Sequence, residues 1–573
     1  MAETLISPGV LARENDQSFV TSPPAERGAA IVGPTVLGPV EKPTLISSFS
    51  SYQAIFGGAL KSGSNEYTYL TSIAANQYFQ NGGNSLLVTR VTSGSFTSAT
   101  SSKATNFISG NTAGSFTLET ISEGEIMNST SPEGLQSSLT SGSSDNLRWQ
   151  VTAVNTSSGV FSLAVRRGND TSQRPVILET YNNISLDPFA TNYISRAIGD
   201  MTTNVKTEGS DTFLQESGSF RNISSYIRVK EVLKPTPNYF NNDGSAKTEF
   251  TGSLPILQSG SFGAAAGSNI PAGRQAFFYD KINDVDTQGL IGTDYNTAIA
   301  LLANQDDYQY NVISVPGLSN QHQATQITSV MNNAIFRGDN IAVIDLVAYD
   351  QAINTVTAQA AGIDNSYTAT YWPWLQTVDP NSGQLVFIPP STFVPGVYAF
   401  TDASSDPWFA PAGITRGGMG QVVRAERKLT SNNRDTLYEA NVNPIATFPQ
   451  QGVVVFGQKT LQKAASALDR VNVRRLLITL KGYISQIADN LVFEQNTIAT
   501  RQNFLTQVNP YLESVQQRQG LYAFKVVMDE SNNTPDVIDR NELIGQIFLQ
   551  PTRTAEFIIL DFNVLPTGAT FPA

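Results

Sequence analysis

The chain has 573 residues, 40% hydrophobic and 9% aromatic, with 36 Lys+Arg against 48 Asp+Glu, no cysteine and one histidine. This composition predicts packed globular structure in about three or four domains of roughly 150 residues each, and it excludes disulfides, thiolate metal sites and cysteine nucleophiles. With His322 as the only imidazole, a Ser-His-Asp triad or a zinc site has almost nothing to draw on.

In chain order, residues 1–20 read as an extended arm, "LISPGVLARENDQSFV", before the helix-disfavouring "TSPPAERG". The start of the arm lacks the basic and apolar regions of a signal peptide. "AAIVGPTVLGPVEKPTLISS" reads as strands parted by Gly-Pro turns. A helix is predicted over 66–80, with Tyr67, Leu70, Ala74 and Tyr78 on one face, and a buried-type strand over 85–91. Residues 21–92 therefore open an α/β domain.

Residues 93–285 change character. Ser, Thr and Gly dominate "SGSFTSATSSKATNF" and "STSPEGLQSSLTSGSSDN", followed by short alternating runs such as "RWQVTAV" and "VFSLAVRRG". This segment reads as a mainly β insertion at the surface, with disordered linker as the alternative for the Ser/Thr tracts. The α/β order then resumes over 286–410. A helix in "YNTAIALLANQ", a strand over 310–317, a second helix and a strand over 340–347 predict a right-handed parallel crossover. In the helix "QHQATQITSVMNNAIFRG", His322 reads as a polar residue of the first turn.

A C-terminal module is predicted over 411–555. Its "GVVVFGQ" is a strand. In "DRVNVRRLLITLKGYISQIADNLVF", Val473, Leu476, Leu477, Leu480, Ile484 and Ile487 form a wide apolar stripe. A second helix, "TRQNFLTQVNPYLESVQQRQ", leads to "LYAFKVVMD", where Tyr522, Phe524, Val526 and Met528 alternate onto one face. Two last strands follow, Leu543–Leu549 and Phe557–Val564, with 556–573 as a terminal arm. The fold class predicted is α/β (mixed α+β), multidomain, with extended arms at both ends.

Motifs of chemistry are lacking. No G-x-S-x-G element occurs, and "RGGMGQVV" from Arg416 departs from the phosphate-loop pattern and reads as a flexible glycine turn. Asp306-Asp307 and Asp529-Glu530 lie in polar stretches that read as solvated charge. No apolar run approaches the ~18 residues needed to span a bilayer. The chain reads as no enzyme, with no cofactor, no metal and no membrane insertion. Charge is segregated: residues 416–481 hold 11 basic and 4 acidic residues, while the first 410 residues hold 20 and 34. That asymmetry predicts a basic surface for an acidic protein partner, since no nucleic-acid motif accompanies it. Arg470, Arg474 and Lys481 fall on one line, with Arg475 nearby; pairing within their own domain is the competing reading.

The stretches "PWFAPAGITRGGM", "LYEANVNPI", "DRVNVRRLLITLK", "YLESVQQRQGLYAFKVVMDESNNTPDVIDRNEL" and "FLQPTRTAEFIIL" resemble, in wording, order and spacing, the contractile-tail sheath proteins of phages, nearest those of T-even-like myophages. "LISPGV", "YQAIFGG" and "NGGNSLLVTRV" resemble the family's beginning, so about half the chain is covered. The resemblance implies a structural subunit of the virion tail that polymerises as helically stacked six-fold rings around a tail tube. Its contraction drives the tube through the host cell envelope for genome delivery. The implied partners are copies of itself, the tube, the baseplate and the tail terminator, with assembly in the host cytoplasm. The C-terminal module would face the tube, where Arg470, Arg474, Arg475 and Lys481 are the basic candidates. The 93–285 insertion would project outward and be dispensable for the contractile lattice. Leu5, Ile6, Val10 and Leu11 of one arm, and Phe557, Ile558, Ile559, Leu560 and Phe562 of the other, would exchange strands between subunits. The sheath of a bacterial contractile injection particle without a genome is the alternative within the class. A hydrolase or carbohydrate-binding protein with a β insertion is the alternative outside it.

Overall fold

The run Ala-Ala-Ile-Val-Gly is apolar at every position, and its strand, Ala29–Gly33, is buried along its whole length. Such a strand needs cover on both faces, which is the habit of parallel sheets. In the computed structural model, which describes residues 27–62, 65–101, 114–130, 133–209, 211–274 and 281–556, it lies inside an eight-stranded sheet. Leu86–Arg90, Ala29–Gly33, Val312–Ser319, Ile341–Asp345, Thr368–Trp372 and Asn443–Phe448 run parallel in that order. Thr44–Ile46 and Gly452–Val455 close the edges antiparallel. Ala29, Ile31, Ile341 and Val343 point into one core beneath the helix Leu70–Gln80. Ala30, Val32, Ala342 and Ile344 point into the opposite core beneath the helices Asn296–Leu301 and Ala324–Arg337. The mixed α/β class read from the sequence is the class observed.

Several boundaries differ from expectation. Asn65–Tyr67 is a strand, pairing with Leu60–Ser62, so the helix placed over 66–80 starts only at Leu70. It is buried nearly all round, from Leu70 to Tyr78, because the sheet and the helices Phe49–Phe56 and Val394–Ser404 pack on it. The parallel crossover is present as Val312–Ser319, Ala324–Arg337 and Ile341–Asp345, its helix ended by Gly338 at φ 67°. His322 precedes that helix and pairs through Nδ1 with Asp284 at 3.0 Å. The central sheet runs past residue 411. Asn443–Phe448 joins it beside Thr368–Trp372, so residues up to 455 belong to the central layer. The Gly- and Pro-rich stretch near 411 carries a short helix, Gly413–Arg416, that packs against the strand Gly452–Val455 of that layer.

The insertion forms a second, wholly antiparallel sheet of seven strands between Ser98 and Gly263. Its first and last strands are neighbours, Ser101 opposite Phe262 and Thr100 opposite Gly263, so both connections leave from one place. Trp149 is fully buried opposite Gly260, where any Cβ would meet the indole 2.3 Å away. The insertion is joined to the central layer through Arg90. Its guanidinium, fully buried, donates to Gly38 O at 2.6 Å, Glu123 O at 2.9 Å and Asn269 Oδ1 at 2.8 Å, and lies 5.1 Å over Phe96. Burial pushes its pKa down to about 10. Removing 93–285 would therefore strip a buried cation of Glu123, Asn269 and Phe96, which the sequence reading did not foresee. Lys42 beside Glu123, at 2.9 Å, reinforces the joint.

Among the central strands, Asp345 is a buried carboxyl that accepts from Ser391 N at 3.1 Å and from the Ser391 hydroxyl. Burial pushes its pKa from the ordinary 3.8 up to about 7, against the lowering by Ser391. An acid whose folded pKa lies above its unfolded one supports the fold fully below the unfolded value, and that contribution is lost as pH rises through the folded value. Asp345→Asn should therefore flatten the fall in stability between pH 4 and 7 and raise stability at pH 8 by ~2 kcal/mol, read by thermal melts across pH. Arg90→Met, which leaves buried carbonyls without their donor, should lower stability to urea by ~3 kcal/mol.

Candidate assembly surface

The module after residue 470 is built on two helices, Val471–Asp489 and Ile498–Gln517, and a hairpin of Leu521–Val527 with Gln546–Pro551. Leu476, Leu480, Tyr483 and Ile487 of the first helix meet Phe504, Val508, Leu512 and Val515 of the second. Tyr483 and Tyr511 stack at 3.7 Å between them. The first helix has a second allegiance, because Val471 and Ile478 enter the core of the central sheet. It is thus sandwiched between two bodies, and the apolar stripe read from the sequence accounts for only one of them.

That position decides where the four basic candidates go. Arg474 is 4% exposed and lies 3.9 Å over the Tyr367 ring, donating to Ser366 O at 3.2 Å. Arg475, also 4% exposed, donates to both oxygens of Asp402 at 2.7 and 2.5 Å and covers Tyr398. Arg470 holds Glu556 and Asp469. Lys481 is exposed and reaches the Tyr367 hydroxyl at 3.3 Å. The line formed by Arg470, Arg474 and Lys481 therefore runs along the central layer. The basic excess of 416–481 has the same explanation more widely: eight of its eleven cations lie 3.9 to 5.9 Å over aromatic rings of this chain. Tyr367 and Glu556 carry much of this arrangement, and neither was singled out in the sequence, since an isolated Tyr or Glu gives no periodic signal.

The hairpin covers the module's core with one face. Phe524, Val526, Ile547 and Leu549 face the module's core, while Tyr522 is 65% and Phe548 56% exposed. Tyr522 was expected on the same face as Phe524, Val526 and Met528. A register shift between Leu521 and Ala523 puts Leu521 there instead and turns Tyr522 outward. The strand expected over Leu543–Leu549 is Gln546–Pro551, ending opposite Leu521 two residues later than expected. Among the described residues neither outer edge of this two-stranded sheet is paired, and two strands alone are marginal in water. Leu5, Ile6, Val10, Leu11, Phe557, Ile558, Ile559, Leu560 and Phe562 lie outside the described residues.

The described chain ends at a polar cluster. Glu556 accepts from Arg470 Nε at 2.7 Å and Nη2 at 3.0 Å, from Tyr438 Oη at 2.8 Å and from Gln458 Nε2 at 3.0 Å. Burial alone would raise its pKa, but these donors outweigh it and hold the carboxyl below the usual range. No group of three or more His, Cys, Asp or Glu among the described residues is placed to hold a metal ion, and no described helix is long and apolar enough to cross a membrane.

A family model described as the phage tail sheath protein central domain matches residues 289–461, and one described as the phage tail sheath C-terminal domain matches residues 463–565. The tail sheath protein of Vibrio phage KVP40 is 32% identical over 343 residues, covering 58% of this chain and 51% of that protein. The tail sheath protein of Enterobacteria phage T4 is 34% identical over 230 residues, covering 40% and 35%. The match thus spans about half or less of these relatives. The contracted helical sheath of the anti-feeding prophage shares the fold over 97% of this chain and 98% of its own, at a TM-score of 0.50 and 16% identity. A sheath tail protein from Listeria innocua does so over 92% and 96%, at 0.51 and 11%.

The buried arginines should behave as structural residues. Arg474→Ala and Arg475→Ala should each lower the stability of the isolated subunit by ~2–4 kcal/mol, and Lys481→Ala should change it by less than ~0.5 kcal/mol, all measured by urea denaturation.

Proposed function

Because this chain belongs to the phage contractile tail sheath family, a family of structural proteins rather than enzymes, we propose that it is the sheath subunit of a contractile virion tail. Copies of the chain stack as helical six-fold rings around a tail tube, between a baseplate and a tail terminator. Contraction drives the tube through the host envelope and delivers the genome. The subunits assemble in the host cytoplasm, and the energy of contraction is stored in their packing.

The observation that carries this reading is the two-stranded sheet of the C-terminal module, with no partner at either edge among the described residues. An open edge in a soluble protein is an aggregation liability unless it has a use. Strand addition uses it: main-chain hydrogen bonds give direction, and alternate side-chain pockets fix the register. We assign the terminal arms, 1–20 and 557–573, as the strands that neighbouring subunits exchange. Subunits linked in this way move during contraction without parting. The antiparallel insertion, whose two connections leave side by side, projects outward. Of the four basic candidates, Lys481 keeps its ammonium at the surface and is the one we carry forward as a tube contact. Exposed ion pairs contribute only ~0–1 kcal/mol each, so grip on the tube depends on repetition around the ring.

Removing residues 1–20 or 557–573 should each leave a folded monomer that no longer polymerises, seen by circular dichroism and negative-stain microscopy. Normal contractile tubes from both truncations would overturn the strand-exchange assignment. Particles with DNA-filled heads would support genome delivery, whereas headless particles would make this the sheath of an injection particle.

A further inference from the structure

Both oxygens of Glu556 are fully used, each accepting two hydrogen bonds. The donors come from three separate elements. Tyr438 lies on the helix Ser431–Glu439, Gln458 follows the strand Gly452–Val455, and Arg470 is the N-cap residue of the helix Val471–Asp489. These elements meet where the central layer passes into the C-terminal module, and Gln458 O also accepts from Val471 N at 2.8 Å. Just upstream, Thr552 bonds through Oγ1 to Gln519 O at 2.6 Å, tying the same segment to the end of the second helix. Bidentate pairing to an arginine is directional as well as strong, so the carboxylate fits one position only.

We propose that Glu556 is the fixed root of the C-terminal tail, clamped by Arg470, Tyr438 and Gln458 to the joint between the two bodies. Resting on the strand-exchange reading above, this gives the clamp a mechanical role: a neighbour that holds residues 557–573 pulls on the joint, and the tail does not peel from its own subunit. It also gives Arg470 a use inside the chain in place of a contact with the tube.

The test uses the full-length chain and two variants, Glu556→Gln and Arg470→Met. The first leaves Arg470 in place and removes the charge that it grips together with one of the two acceptor oxygens. Arg553, exposed three residues before the clamp, is a built-in reporter, because trypsin can cut there only when the segment lifts away. Loss of a charged hydrogen-bond pair should speed cleavage after Arg553 about tenfold in the monomer, with the circular dichroism spectrum unchanged. Sheaths assembled from Glu556→Gln on purified tubes should break on contraction where those of the parent chain stay whole. Unchanged cleavage would overturn the clamp, and faster cleavage with intact contracted sheaths would overturn its mechanical role. Failure of strand exchange itself would show separately, as normal polymers from a chain lacking 557–573.

Discussion

One helix has to satisfy two cores at once, and most of the C-terminal half follows from that. Val471–Asp489 offers Leu476, Leu480, Tyr483 and Ile487 to its own module, and Val471 and Ile478 to the central sheet. Little of its first two turns is left for solvent, so Asn472, Arg474 and Arg475 are buried as well. Buried cations need partners. Tyr367, Ser366, Asp402 and Tyr398 supply them from the central layer. The module is therefore docked by an apolar contact and sealed by arginines. Arg518, exposed just past the second helix, pairs with Asp406 at 2.7 Å and covers Trp408 of the module's own core.

The same geometry changes what the charge asymmetry means. A surplus of arginine over carboxylate looks, in one dimension, like a surface waiting for an acidic partner. In three dimensions the surplus is met by aromatic faces, which attract cations without carrying charge and so leave no trace in a count of acids and bases. Under the proposed function, attachment to a tube would rely less on a concentrated basic patch than on a few exposed cations repeated around a ring. A weak, repeated contact would suit the proposed release of a tube during contraction.

What was legible in the sequence follows from which signals are local. The inner strands announce themselves because a strand covered on both faces is an unbroken apolar run, as in Ile341–Asp345. The two long C-terminal helices are legible by period. The insertion is legible by composition, and its mainly β character by alternation. The boundary at 411 misled because a Gly- and Pro-rich stretch looks the same inside a domain as between two, and only the pairing of Asn443–Phe448 with Thr368–Trp372 separates the cases. Arg90 and Glu556 stayed hidden for another reason. Their roles are set by carbonyls and donors remote in sequence, Asn269 and Tyr438 among them. The outward turn of Tyr522 rests on a one-residue register shift, which alternation cannot reveal.

Under the proposed strand exchange, the small C-terminal sheet is unfinished in one subunit and completed in the polymer. Amide hydrogen exchange reads this directly, since each strand added to an edge protects the amides facing it. Peptides covering 521–527 and 546–551 should exchange readily in the isolated subunit and become protected by at least about a hundredfold in assembled sheath, while Ala29–Gly33 at the centre of the main sheet stays protected throughout. Equal exchange of 521–527 and 546–551 in monomer and polymer would contradict it.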